Sequence, residues 1–347
     1  MDRSYYLDLA AAGLRMPIGT DLVLHRQPDP VSARLDGDAL GAVMVESAER
    51  YRTPLAFPLM DLTLEKEWLL TGLGVPAAEA AAYHFASGPG AAELDALDGI
   101  LNGPQTACMR ASLGALDYVR SQTELVPVGM CIGPFSLMTK LLADPITAVY
   151  LISVDPDEPT AQAASTAMEV ATRLIIAWVG LQAEAGAKAI CICEPACSTA
   201  FISPHQIAAH DGLLDTLVLS YHRRIKQALE AADMDLILHD CGELTPEIVT
   251  SFQELDPAVL SLGSPSDLPS AAPLVPDRTV LFGNLPSKTF YSDSLMTVEQ
   301  VKVATQELIA RMDAIGHPYI IGSECDVLSV KGCEDLIMAK VMAMLEA

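Results

Sequence analysis

The sequence is poor in basic residues. Its 347 residues hold 21 Lys and Arg against 45 Asp and Glu, a formal net charge of −24. A surface of that sign repels phosphate backbones and anionic lipid, so neither nucleic acid nor a membrane surface is expected as a partner. Long hydrophobic runs are lacking too. The most apolar stretch, Leu174 to Leu181, is far shorter than the ~20 residues needed to span a bilayer. The opening residues MDRSYYLDLA carry no apolar signal core. The 23 prolines and 22 glycines follow no period, which excludes collagen-like and low-complexity classes.

What is present is a full core. Apolar residues make up 51% of the chain and charged residues 19%, with a mean hydropathy of +0.31. Eight cysteines without a leader imply a reducing compartment, where thiols serve as metal ligands, nucleophiles or buried fillers. The expectation is a cytoplasmic, enzyme-sized protein.

Short β-branched runs alternate with longer helical patterns. Strands are expected at Leu55–Met60, Val126–Ile132, Ala189–Cys193, Leu236–Leu238, Ala258–Leu262, Thr279–Phe282 and Tyr319–Ile321, with a weaker one at Ala82–Ala86. Helical spacing appears in Gln105–Ser121, Thr160–Ala185, Pro204–Ala232, Thr245–Leu255, Val298–Ile315 and Cys333–Leu345. Thr245, Pro246 and Glu247 set an N-cap, a proline at the first helical position and an early acid. Eight alternations argue for parallel strands joined by crossover helices, and they close most economically as an α/β (β/α)8 TIM barrel. An open doubly wound sheet is the competing arrangement, but no G-x-G-x-x-G loop follows any strand. Residues 1–53 are expected to form an N-terminal helical cap and residues 54–347 the barrel, one structural domain in all.

In such a barrel the working residues lie just past the C-terminal ends of the strands. Asp61, Gly133, Glu194, His239, Cys241, Gly263, Asn284 and Cys325 occupy those places. His239 and Cys241 are two apart in extended chain, so imidazole and thiol point the same way, and Cys325 leaves the last strand. Soft sulfur and nitrogen donors suit zinc, and three protein ligands leave an open fourth position. Taken alone, the same residues also fit a neutral histidine and two buried thiols. Cys191 and Cys193 lie within one strand and read as buried packing, while Cys197 follows in a loop that could approach the site. Cys108, Cys131, Cys333, Trp68 and Trp178 are assigned to packing. His205, His210 and His222 do not share a helical face and are read as solvated or core residues. Asp61 and Glu194 each end an apolar run, where a carboxylate ligates, orients a substrate or moves a proton, or else caps a helix.

At these residues the sequence resembles the uroporphyrinogen decarboxylase superfamily, and within it the corrinoid-dependent, methylcobamide:coenzyme M-like zinc methyltransferases. The likeness runs from about Pro54 to the C-terminus. It rests on IGPFS from Ile132, GAKAICICEP from Gly186, ISP from Ile202, LHDCG from Leu238, LFGN from Leu281, TVEQV from Thr297 and GSECDV from Gly322. The resemblance implies a (β/α)8 barrel and zinc held by His239, Cys241 and Cys325. Two departures stand out. Arg3, Arg15, Arg26 and Arg34 do not form the arginine-rich signature that grips porphyrin carboxylates, although Asp61 matches the pyrrole-binding aspartate by position. Gly263 stands where such zinc methyltransferases often carry an acid near the end of the sixth strand, leaving Glu194, Asp267 or water for the fourth ligand position.

What the resemblance implies is methyl transfer between cobalamin on a corrinoid partner protein and a small acceptor, a thiol such as coenzyme M or else tetrahydrofolate. Zinc would hold the acceptor thiolate, and Asp61, Glu194 and Asn284 would line the mouth as catalytic residues. The reverse direction, demethylation of a substrate to feed the corrinoid protein, uses the same site. A cofactor-free decarboxylase resting on Asp61 and a non-enzymatic zinc-stabilised binding protein are the alternatives.

Overall fold

A computed structural model describes residues 3–347. Eight parallel strands make one curled sheet: β1 (Arg15–Ile18), β2 (Leu55–Ala56), β3 (Val126–Ile132), β4 (Ala189–Cys193), β5 (Asp235–Asp240), β6 (Val259–Leu262), β7 (Val280–Leu285) and β8 (Tyr319–Asp326). The order is β1-β8-β7-β6-β5-β4-β3-β2, with crossover helices around it, the arrangement of a (β/α)8 barrel. The seam between β1 and β2 is closed by side chains. Thr20 donates to the Phe57 carbonyl at 2.7 Å, and the Tyr51 hydroxyl donates to the Gly19 carbonyl at 2.9 Å.

Three expectations change. The first barrel strand is Arg15–Ile18, inside the segment read as a helical cap, and it pairs with β8 through Arg15–Ile321 and Met16–Gly322. Four residues containing an arginine and a proline carry too little β pattern to be legible. Ala82–Ala86 forms no strand. Only an isolated bridge, Phe85 to Leu142, lies there. The strand expected over Leu55–Met60 stops after Ala56, and Pro58, which has no N–H to give a ladder, follows two residues on.

Period-two alternation builds two cores. In β4, Ala189, Cys191 and Cys193 join Met130, Ile237, Val280 and Phe282 inside the barrel, while Ile190 and Ile192 pack outward against the helices. Cys191 and Cys193 are thus barrel filling, as their strand position suggested. The helix Pro159–Glu184 is long and apolar enough to cross a membrane by composition, but 56% of its most apolar window is buried in this fold. Its Trp178 donates to the Met130 carbonyl at 3.1 Å, so it acts as a core helix against β3.

Candidate metal centre

His239 is the fifth residue of β5, facing the barrel interior at the strand's C-terminal end. Its Nδ1 lies 2.8 Å from the Ser261 hydroxyl, and the two residues are register partners across β5 and β6. With Nδ1–H donating to that oxygen, the Nε2 lone pair is left free. That Nε2 is buried and has no hydrogen-bond partner. Two residues on, the chain turns sharply. Asp240, fully buried, accepts from the Gly242 N–H at 2.8 Å, and this holds Cys241 at the mouth. Burial pushes the Asp240 carboxyl well above its usual range.

Cys325 arrives from the far end of β8. The donor atoms of His239, Cys241 and Cys325 all lie within 4.8 Å of one another, the one such cluster found among the described residues. The neighbouring Cys325 thiol, with His239 alongside, holds Cys241 well below the usual thiol range against the effect of burial. Cys325 itself is pushed up by the same contact and by burial. Its Sγ also touches Met60 Sδ at 3.6 Å. Lys288, after β7, adds positive charge that favours both thiolates. It is tied in place through Glu324, whose carboxylate accepts the Lys288 N–H at 3.1 Å and the Ser264 hydroxyl at 2.5 Å.

The donor set fits a zinc-type ion. Two thiols and an imidazole are soft and borderline donors, the imidazole's free nitrogen is an orphan without an ion, and a hydroxyl fixes its tautomer. Gly263 packs against the loop that carries Cys241. A Cβ there would lie 2.6 Å from the Cys241 Cα and 2.7 Å from its carbonyl oxygen. No acid fits at that position. Asp267, the alternative, caps Ser270 and pairs with Arg311 on the surface.

Of the three residues expected to be catalytic, Glu194 and Asn284 are engaged in holding neighbouring loops and helices, and Asp61 stays near the mouth. Glu194 is fully buried and does not face the mouth. It accepts from the Phe135 and Ser136 N–H groups at 3.2 and 2.5 Å, capping the helix Pro134–Leu141, and from His222 Nε2 at 2.7 Å. Gly133 must lack a side chain, because a Cβ would lie 2.1 Å from that carboxylate. Asn284 donates to the Gly263 and Ser266 carbonyls and so braces the β6 loop. Asp61 remains near the mouth, with one oxygen on Arg34 and the other accepting the Thr63 N–H and hydroxyl. Cys197 is buried in the outer core, outside the donor cluster. Ser261 and Lys288 were not anticipated. A serine inside the buried strand VLSL was the available signal for the first, and Lys288 had none.

The chain is a (β/α)8 barrel whose C-terminal mouth gathers a histidine and two cysteines that could hold a metal ion. The family profile described as uroporphyrinogen decarboxylase (URO-D) matches residues 28–342, and the chain belongs to that family. Among solved structures, a methyltransferase from Methanosarcina mazei superposes with a TM-score of 0.66 at 16% identity, covering 96% of this chain and 92% of that one. A B12-independent methionine synthase from a Shewanella species gives 0.43 at 14% identity, covering 67% and 65%. The first likeness shows a shared fold. No curated protein sequence matches the chain.

Proposed function

We propose that the protein is a zinc-dependent methyltransferase acting between a corrinoid partner protein and a small acceptor, most simply a thiol, with tetrahydrofolate as the other acceptor class. The observation that carries this reading is the orphaned His239 Nε2 facing the Cys241 and Cys325 sulfurs at the mouth of the barrel. When bound, zinc would lower the pKa of an acceptor thiol and hold it as a thiolate nucleophile. His239, Cys241 and Cys325 would hold the ion. Ser261 keeps the imidazole in its donor tautomer, Gly263 lets the Cys241 loop pack close, and Lys288 offsets the negative charge of two thiolates. Asp61, oriented by Arg34 and Thr63, stands ready to orient a polar group of the acceptor. Both of its oxygens are engaged, which weighs against the cofactor-free decarboxylase reading.

The partner is supported by where apolar surface is exposed. Val31 and Leu35 follow β1, Ile146 and Tyr150 follow β3, Tyr291 and Leu295 follow β7, and Leu328 and Val330 follow β8. They lie in segments that follow the C-terminal ends of strands, the ends at which a corrinoid domain would have to approach the donor cluster. All eight cysteines are free thiols, which supports a reducing, cytoplasmic setting.

The test is anaerobic incubation of zinc-loaded protein with methylcobalamin and a panel of thiols beside tetrahydrofolate, followed by visible absorbance. Loss of the methylcobalamin spectrum with one acceptor, abolished by Cys241→Ser, is expected. Equal loss in the variant would sink the reading. Turnover only with a methylated substrate and cob(I)alamin would assign the reverse direction.

A further inference from the structure

A small cavity lies among the helices that follow β2 and β3. It holds about 260 Å³ between the helices Leu64–Gly72, Ala77–Ala80 and Pro134–Leu141, with Thr63, Lys66, Glu67, His84 and Lys140 in its walls. These elements belong to the connections that leave β2 and β3. The cavity's composition is unusual for this chain. Acids outnumber bases by 45 to 21, yet two lysines meet at one small cavity.

Neither lysine forms an ion pair with a carboxylate among the described residues. Lys66, 5% exposed, donates once, to the Ala81 carbonyl at 3.1 Å. Lys140 donates once, to the Leu62 carbonyl at 3.1 Å. An ammonium has three donors, so each retains capacity. Burial, and then the charge of Lys140, hold Lys66 below the usual lysine range, which reflects chiefly the cost of taking an ammonium out of water. The nearby acids are committed elsewhere or only partly available. Asp61 binds Arg34 and Thr63, and Glu65 is buried and accepts from the Ile132 N–H. Glu67 shares the cavity wall, and its carboxyl is raised by burial and by Asp61. His84 uses Nδ1 on the Ala82 carbonyl at 2.9 Å, leaving its other ring nitrogen at the rim.

We propose that this cavity binds a small oxyanion, of the phosphate, sulfate or carboxylate class, between the ammonium groups of Lys66 and Lys140 with His84 at the rim. Glu65 and Asp61 draw on Lys140 from a distance, but neither is hydrogen-bonded to a lysine, and a bound anion would take up the donors that both ammonium groups retain. The site is separate from the donor cluster but close to it along the chain. Met60 touches Cys325, and Thr63 lies three residues further, a span of at most ~10 Å of extended backbone. The occupant is therefore either a free oxyanion or the acidic end of a small molecule that also approaches the mouth.

Calorimetric titration of the zinc-loaded full chain with inorganic phosphate, at fixed ionic strength in chloride, tests this. Saturable binding is expected, weakened about tenfold or more by Lys66→Met and by Lys140→Gln, the loss of a charge-assisted hydrogen bond. Circular dichroism checks each variant. If Lys66→Met does not fold, the more exposed Lys140→Gln decides alone. Displacement of phosphate by 3-mercaptopropionate at much lower concentration than by propionate assigns the site to the acidic end of a small molecule whose thiol reaches the mouth, and equal displacement by the two assigns it to a free oxyanion. Absence of saturable phosphate binding, or binding unchanged in a folded variant, overturns the proposal. Zinc content is expected to be the same in wild type and variants, so failure here is distinct from failure at the metal centre.

Discussion

His239 and Ser261 face each other across β5 and β6, and the 2.8 Å contact between Nδ1 and the serine hydroxyl decides which imidazole nitrogen meets the two thiols. Replacing Ser261 by alanine removes that contact while leaving every donor atom present. Metal affinity is expected to fall about 10- to 100-fold, as for other partners that orient a ligand histidine. Competition with a chromophoric chelator measures it. Unchanged affinity would show that the tautomer is fixed some other way.

Gly263 and Cys241 are in backbone contact, and a Cβ at 263 would meet the Cys241 Cα at 2.6 Å. Gly263→Ala is expected to displace the Cys241 turn at a cost of about 1–3 kcal/mol. The measurable result is weaker metal binding with near-native circular dichroism. Gly263→Asp, which restores the acid often found there, should be no better, because the clash precedes any ligation.

Glu194 joins elements that lie far apart in sequence. Its carboxylate holds His222 at 2.7 Å and two N–H groups of the helix Pro134–Leu141. Removing one partner of a buried pair costs about 3–5 kcal/mol. Glu194→Ala is therefore expected to lower the urea midpoint strongly, while folded protein still binds one metal ion. A variant with normal stability and no turnover would instead return Glu194 to a catalytic role.

Glu65 gives a pH signature. Its side chain is fully buried, and burial raises its carboxyl from 4.5 to about 8. The folded chain then holds a proton that the unfolded chain has released between those values, so stability falls as pH rises from about 4.5 to about 8. The slope contributed is about 1.4 kcal/mol per pH unit. Urea denaturation across that window should show wild type losing stability more steeply than Glu65→Gln, the difference in slope being about 1.4 kcal/mol per pH unit, with buried Asp240 and Asp326 supplying the slope common to both. Parallel curves for the two proteins would contradict it.

The strands β3 to β8 and the gathering of His239, Cys241 and Cys325 at one strand end were legible because they depend on local quantities. Apolar runs mark buried parallel strands, and a histidine and cysteine two apart at a strand end share one direction. Roles fixed by distant partners were not legible. Nothing near Glu194 in sequence announces His222, and nothing near Asn284 announces the carbonyls of Gly263 and Ser266. Strand β1 escaped for a different reason. Its pairing with β8 carries it, rather than its own residue pattern.

The metal centre itself is tested most directly by titrating the apoprotein with cobalt(II) under anaerobic conditions and recording the thiolate-to-cobalt absorption. One ion per chain with strong sulfur charge-transfer bands is expected, reduced in Cys241→Ser and in Cys325→Ser while circular dichroism stays native, because strand pairing and the apolar cores carry the barrel. No charge transfer, or bands that persist unchanged in both variants, would contradict a centre held by His239, Cys241 and Cys325.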